Sequence, residues 1–143
     1  MCNKETESIN SHIQTLLYRF AELCESDLLA DFLVVYIQEA HPSEGGHFDG
    51  NIPIADHKSM QDRIAAAETM VEEAEIAKFP CPIVIDKMDN AANHAYGALP
   101  ERLFIVMDGR VLYVGGEGPQ DYVLTEAEDK LRDILESSPK KIK

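Results

Sequence analysis

A mixed α/β fold is predicted by three features of this 143-residue sequence. Two short, wholly apolar runs, Phe32-Leu33-Val34-Val35-Tyr36-Ile37 and Pro82-Ile83-Val84-Ile85, stand on either side of a segment with helical periodicity. Such runs read as parallel strands buried on both faces. A third run, Leu103 to Met107, meets a fourth, Arg110 to Val114, across Asp108-Gly109. That dipeptide is the signal of a type I′ hairpin turn, so these two strands are antiparallel.

The remaining elements follow in order. Residues 1–10 are a polar tail. Ser11 caps a first helix whose apolar positions, Ile13, Leu16, Leu17, Phe20, Ala21 and Leu23, continue the pattern to about Leu29. The Phe32 strand ends at Glu39-Ala40-His41-Pro42, and a loop rich in Gly, Pro and Asp covers 42–56. A second helix runs from about Ser59, its cap, to Ala77, with Asp62 in its first turn and an apolar stripe of Ile64, Ala67, Met70, Val71 and Ala74. Pro80 ends it. After the Pro82 strand, helical character returns around Ala91 to Ala95. Gly115-Gly116 stops the hairpin, and a last helix from about Leu124 to Leu135 takes Thr125 as its cap. One domain, 11–138, thus lies between the tail 1–10 and a lysine-containing tail 139–143. A parallel part followed by an antiparallel hairpin and a closing helix is the later portion of a thioredoxin-like fold.

Charge narrows the partners. Thirteen basic residues face 26 acidic ones, a net −13 at pH 7. Such a surface repels phosphate backbones and anionic lipid, so nucleic acid is not an expected partner. The start, MCNKETESIN, does not read as a signal peptide, and no apolar run approaches a membrane span. Cys2, Cys24 and Cys81 form no C-x-x-C pair, which suits a reducing, cytoplasmic setting. Cys24 and Cys81 read as buried, inert thiols. His41, His47 and His57 match no standard metal-ligand spacing, so no metal is expected.

Two stretches go beyond pattern. One is Asp31 through Gly45, reading DFLVVYIQEAHPSEG; the other is Asp86 through Gly97, reading DKMDNAANHAYG, followed by Glu101-Arg102 and Gly115-Gly116-Glu117-Gly118-Pro119. Together they resemble the iodothyronine deiodinases from about Ala30 to Leu135. The resemblance implies a thioredoxin-fold oxidoreductase that removes iodide from an aromatic ring by reduction. It implies a small iodinated phenolic substrate, no bound cofactor and a thiol reductant as co-substrate. Family members use a selenocysteine within Ser-Cys-Thr-selenocysteine-Pro-Pro, and many carry a membrane anchor upstream.

Site residues follow from position and resemblance together. His41 lies past the carboxyl end of a parallel strand, where α/β proteins place their sites, and an imidazole there can move a proton near neutral pH. The resemblance implies catalysis or substrate contact for it; the structural alternative is a loop histidine capping backbone groups. Glu39, two residues earlier on an extended chain, could orient His41, or it is a solvated charge. Arg102 offers a guanidinium fork to a substrate carboxylate or phenolate, or it pairs with one of the many acidic residues. His57 matches a family histidine after a similar loop, which implies that it holds substrate; the structural alternative is a histidine that simply stands at a helix amino terminus. Pro100 sits where thioredoxin folds often place a cis-proline. His47 stands where the family usually has tryptophan. Asp89, Asn90 and Asn93 read as loop-shaping residues.

The sequence departs from the family at one place. The selenocysteine position counts back to near Ile9, where there is neither cysteine nor Pro-Pro, and no strong sheet former precedes Ile13. The first catalytic strand, expected between the Phe32 and Leu103 strands, has no counterpart in this reading. The expectation is a truncated deiodinase-type domain, inactive as written. Its rival is a genuine family member without catalysis, with homodimerisation filling the gap. A peroxiredoxin-like thiol oxidoreductase shares the Tyr-Gly step and the hairpin, but needs a cysteine after a Pro-rich turn. A non-catalytic binding module using the same cleft is the third reading.

Overall fold

A computed structural model of the chain describes residues 15–40, 42–45, 53–76 and 78–138. Helical residues 15–24 (α1) precede β1 (Val34–Tyr36), a 3₁₀ turn at Ser43–Gly45 and α2 (Met60–Glu73). Then come β2 (Ile83–Ile85), α3 (Ala91–Tyr96), the hairpin β3 (Phe104–Met107) and β4 (Arg110–Val114), and α4 (Leu124–Ser137). The fold is mixed α/β and consistent with a thioredoxin-like arrangement. The expected tail and Ser11 cap lie outside the described residues.

In α1, Leu16, Ala21 and Leu23 are buried, and the Phe20 ring meets Phe32 edge-on at 6.0 Å. The helix ends at residue 24 instead of continuing to Leu29. There the Ser26 hydroxyl donates to the Leu23 carbonyl at 2.7 Å, and Leu29 is 92% exposed. Ser59 caps α2 as expected. Its Oγ accepts from the Asp62 N–H at 3.1 Å, and the Asp62 carboxylate accepts from the Lys58 N–H at 2.9 Å. The face α2 buries is Arg63, Ala66 and Ala67; of the expected stripe Ala67 is buried and Met70, Val71 and Ala74 are half-buried, whereas Ile64 is exposed. The helix stops at Glu73, short of Ala77, and Glu75 takes a positive φ of 55°.

β1 and β2 are parallel, in the register Val34↔Ile83, Val35↔Val84, Tyr36↔Ile85. They are not buried on both faces: Val35 and Val84, paired on one face, are 41% and 43% exposed. No described element covers that face. β3 and β4 pair antiparallel with an irregularity between Ile105 and Val106. Asp108 and Gly109 both have positive φ, 52° and 73°, as a type I′ turn requires. Thr125 lies inside α4 and does not cap it. The cap position is Val123, without a side-chain hydrogen bond. Among the described residues the two ladders form separate sheets, β1-β2 and β3-β4. No helix among them is long and apolar enough to cross a membrane.

Candidate active site

Polar side chains collect past the carboxyl ends of β1 and β2. Tyr36 is the last residue of β1, and its hydroxyl donates to Glu39 Oε2 at 3.1 Å. The Tyr36 ring lies against the His57 ring, centroids 5.9 Å apart. Glu39 and His57, both expected from sequence, therefore meet over a tyrosine. Burial, reinforced by the Glu39 carboxylate, pushes the Tyr36 hydroxyl above its ordinary pKa, so it remains a proton donor.

His57 is 7% exposed and Arg63 only 2%. Arg63 Nε donates to His57 Nδ1 at 3.2 Å. A guanidinium can only donate, so Nδ1 must present its lone pair and the ring proton sits on Nε2. Burial first, and the Arg63 charge second, push the His57 pKa down, against weaker opposite pulls from Glu39, Asp56 and Asp62. The imidazole is thus held neutral, as an Nε2–H donor. That Nε2 is buried and has no partner among the described residues. His57 also walls a groove of about 480 Å³ beside α2, together with Asp56, Asp62 and Glu44.

Arg63 also ties α2 to the segment after β2. Its Nη1 donates to the carbonyls of Asp86 at 3.1 Å and Lys87 at 2.7 Å. The Asp86 side chain, 5% exposed, organises the start of α3. Oδ1 accepts from the Lys87 and Ala92 N–H groups at 2.9 and 3.0 Å, and Oδ2 from the Asn93 N–H at 2.9 Å. Burial alone would raise the Asp86 carboxyl pKa; the three backbone donors and the Arg63 charge outweigh it and hold it below the ordinary value.

Asn93, itself buried, carries the connection onward. Its Oδ1 accepts from the Leu99 N–H at 3.0 Å, and its carbonyl from the Gly97 N–H at 2.8 Å. The Leu99–Pro100 peptide bond is cis. Arg102, two residues before β3, donates from Nη1 to the Gly97 carbonyl and from Nε to the Gly115 carbonyl, both at 2.9 Å. Glu117 lies 3.7 Å from Nη1. An unbroken hydrogen-bonded path therefore runs from His57 through Arg63, Asp86, Asn93 and Gly97 to Arg102.

Of the residues expected from sequence, Glu39 and His57 share one cluster, and Arg102 is joined to it by that path. His41 and His47 lie outside the described residues. Tyr36, Arg63 and Asp86 were not singled out by sequence reasoning. Signals for two of them existed: an arginine spaced i, i+3, i+4 with the small residues Ala66 and Ala67, and an aspartate directly after a parallel strand. No group of three His, Cys, Asp or Glu residues among the described ones could hold a metal ion.

Comparison with known proteins adds the following. Residues 11–138 match the family model described as iodothyronine deiodinase. The chain is 46% identical over 99 residues to a thyroxine 5-deiodinase of Gallus gallus, covering 68% of this chain and 37% of that protein. To a thyroxine 5-deiodinase of Sparus aurata it is 48% identical over 109 residues, 76% of this chain and 38% of the relative. To a type I iodothyronine deiodinase of Xenopus laevis it is 43% identical over 98 residues, 68% and 37% of the two chains. The matched stretch thus spans under two-fifths of these relatives' length.

Proposed function

This chain belongs to the iodothyronine deiodinase family, and from that premise we propose that its domain binds an iodinated phenolic ring for reductive dehalogenation. The observation that carries the reading is the buried Nε2–H of His57, which has no partner among the described residues and is fixed beside the Tyr36–Glu39 pair. A neutral imidazole offering a proton in a desolvated place suits a phenol oxygen or a polarised halogen, and a buried donor gains most from such a partner. Arg102 suits a carboxylate on the same substrate. His41 and Glu39 are assigned the proton that replaces iodide.

Reductive removal of iodide breaks a carbon–iodine bond and forms a carbon–hydrogen bond. Two electrons come from a selenolate or thiolate that attacks the halogen, and an external thiol then regenerates that group. The sequence contains no selenocysteine, and neither Cys24 nor Cys81 lies among the residues of the site. The domain as given is therefore assigned substrate binding without turnover. A cytoplasmic setting belongs to the same proposal, supported by the free thiols.

Isothermal titration of the full chain with an iodinated phenol that also bears a carboxylate side chain tests the binding. Saturable heat, weakened at least tenfold in Arg102→Lys and His57→Phe, is expected. No heat at high ligand concentration overturns the reading. Iodide release in the presence of a dithiol should be absent, and turnover at an ordinary enzymatic rate would refute the assignment of binding without chemistry.

A further inference from the structure

The described cysteines, Cys24 and Cys81, are distant in sequence but adjacent in the fold. Cys24 is the last helical residue of α1, and Cys81 sits two residues before β2. Neither is as fully buried as the sequence suggested. Both are half-buried, and both line one cleft of about 380 Å³ with Ala30, Asp31, Phe32, Pro80 and Pro82. Within that cleft the two thiols are close enough for each to perturb the other. The Val34 N–H, whose main acceptor is the Pro82 carbonyl at 3.0 Å, also lies beside the Cys81 sulfur. This places the pair at the amino ends of β1 and β2, the end opposite to Glu39.

We propose that Cys24 and Cys81 form a reversible dithiol–disulfide couple that exchanges with low-molecular-weight disulfides entering through the cleft. Cys81 is the attacking group, because the Cys24 thiol and the Val34 N–H both stabilise its thiolate. Its sulfur attacks one sulfur of the incoming disulfide, whose S–S bond breaks, and one thiolate leaves. Cys24 gives its proton to that thiolate and attacks the Cys81 sulfur of the mixed disulfide. A second thiol leaves, and two electrons have passed from the protein to the reagent. The product bond joins the end of α1 to the entrance of β2.

The surroundings set the pace. Burial, then hydrogen bonding and charge interaction with Cys81, push the Cys24 thiol up to about 12, and burial also raises Cys81. Glu25, adjacent to Cys24 in sequence, further disfavours its thiolate, and Asp31 is the acidic residue that lines the cleft. Exchange is therefore slow at neutral pH and accelerates as pH rises, because the thiolate is the reactive species.

The test uses the reduced full chain with Cys2→Ser, so that these two thiols alone can react. Glutathione disulfide is added at mildly alkaline pH without oxygen. The expected result is loss of both free thiols, no retained glutathione, and a cross-linked peptide holding Cys24 and Cys81. The oxidised protein should melt at a higher temperature than the reduced one, and dithiothreitol should reverse the change. In Cys24→Ser, checked for an unchanged melting temperature when reduced, a stable glutathione adduct should stay on Cys81. Absence of reaction in the folded protein overturns the proposal. So does accumulation of separate adducts on both cysteines without a cross-link. The wild-type peptide map needs no stable variant, so a misfolded substitution would not decide the outcome.

Discussion

Replacing Asp86 with asparagine removes one charge and exchanges one oxygen for an NH₂ group at nearly constant shape. In the native site three backbone N–H groups, from Lys87, Ala92 and Asn93, point at the carboxylate. The asparagine oxygen can still serve two of them where Oδ1 stood. Its NH₂ group then faces the buried Asn93 N–H at the former 2.9 Å contact, donor against donor. Hydrogen bonds to a charged group contribute about 1.5–3 kcal/mol each, so losing one and weakening two costs about 2–4 kcal/mol. α3, six residues long, cannot hold its first turn by propensity and would fray. Urea unfolding at pH 7 measures the loss as a lowered midpoint. The pH dependence gives a second check. The folded Asp86 carboxyl has a pKa below its unfolded value of about 3.9, so its contribution is complete above that value. It disappears as pH falls through the folded value. The gap between wild type and Asp86→Asn should be constant from pH 7 to about 5 and close on further acidification. A variant within about 1 kcal/mol of wild type at pH 7, or a gap that does not close in acid, would refute this account of Asp86.

His57 behaves in the same sense with a different window. Its folded pKa lies below the unfolded value of about 6.5, so its share of stability is full above that value and is lost as pH falls through the folded pKa. His57→Gln can keep an acceptor for Arg63 but cannot titrate; urea midpoints should then lose the corresponding slope below pH about 6.5. Gly109 has φ +73°, and an added Cβ would meet nothing within 4 Å. Gly109→Ala should therefore lower stability through backbone strain alone, by about 1 kcal/mol in thermal unfolding. Ser59→Ala removes the Oγ acceptor of the Asp62 N–H and should cost about 1 kcal/mol, seen as a matching drop in the urea midpoint.

Much of the scaffold could be read in advance because its signals are local. Asp108-Gly109 dictates a turn from two residues, and Ser59 with Asp62 marks a helix start within four. The errors arose where distant segments decide. An all-apolar run such as Leu33 to Ile37 has no alternation to say which side is covered, so the exposure of Val35 and Val84 could not be read from it. Nothing local names the partners of Arg63, because only folding brings the carbonyls of Asp86 and Lys87 to its guanidinium. Glu39, His57 and Arg102 could be named from type and resemblance, but the path that joins them passes through backbone groups. Those carry no side-chain signature. The contact of Cys24 with Cys81 is likewise a product of tertiary packing.

Among the described residues the strands divide into two separate ladders, and this governs how they open. β1 and β2 share three register pairs, and β3 and β4 share four. Breaking one set leaves the hydrogen bonds of the other intact. The chain can thus unzip by halves, and amide protons in the two ladders should exchange with deuterated solvent as separate groups rather than in one global event.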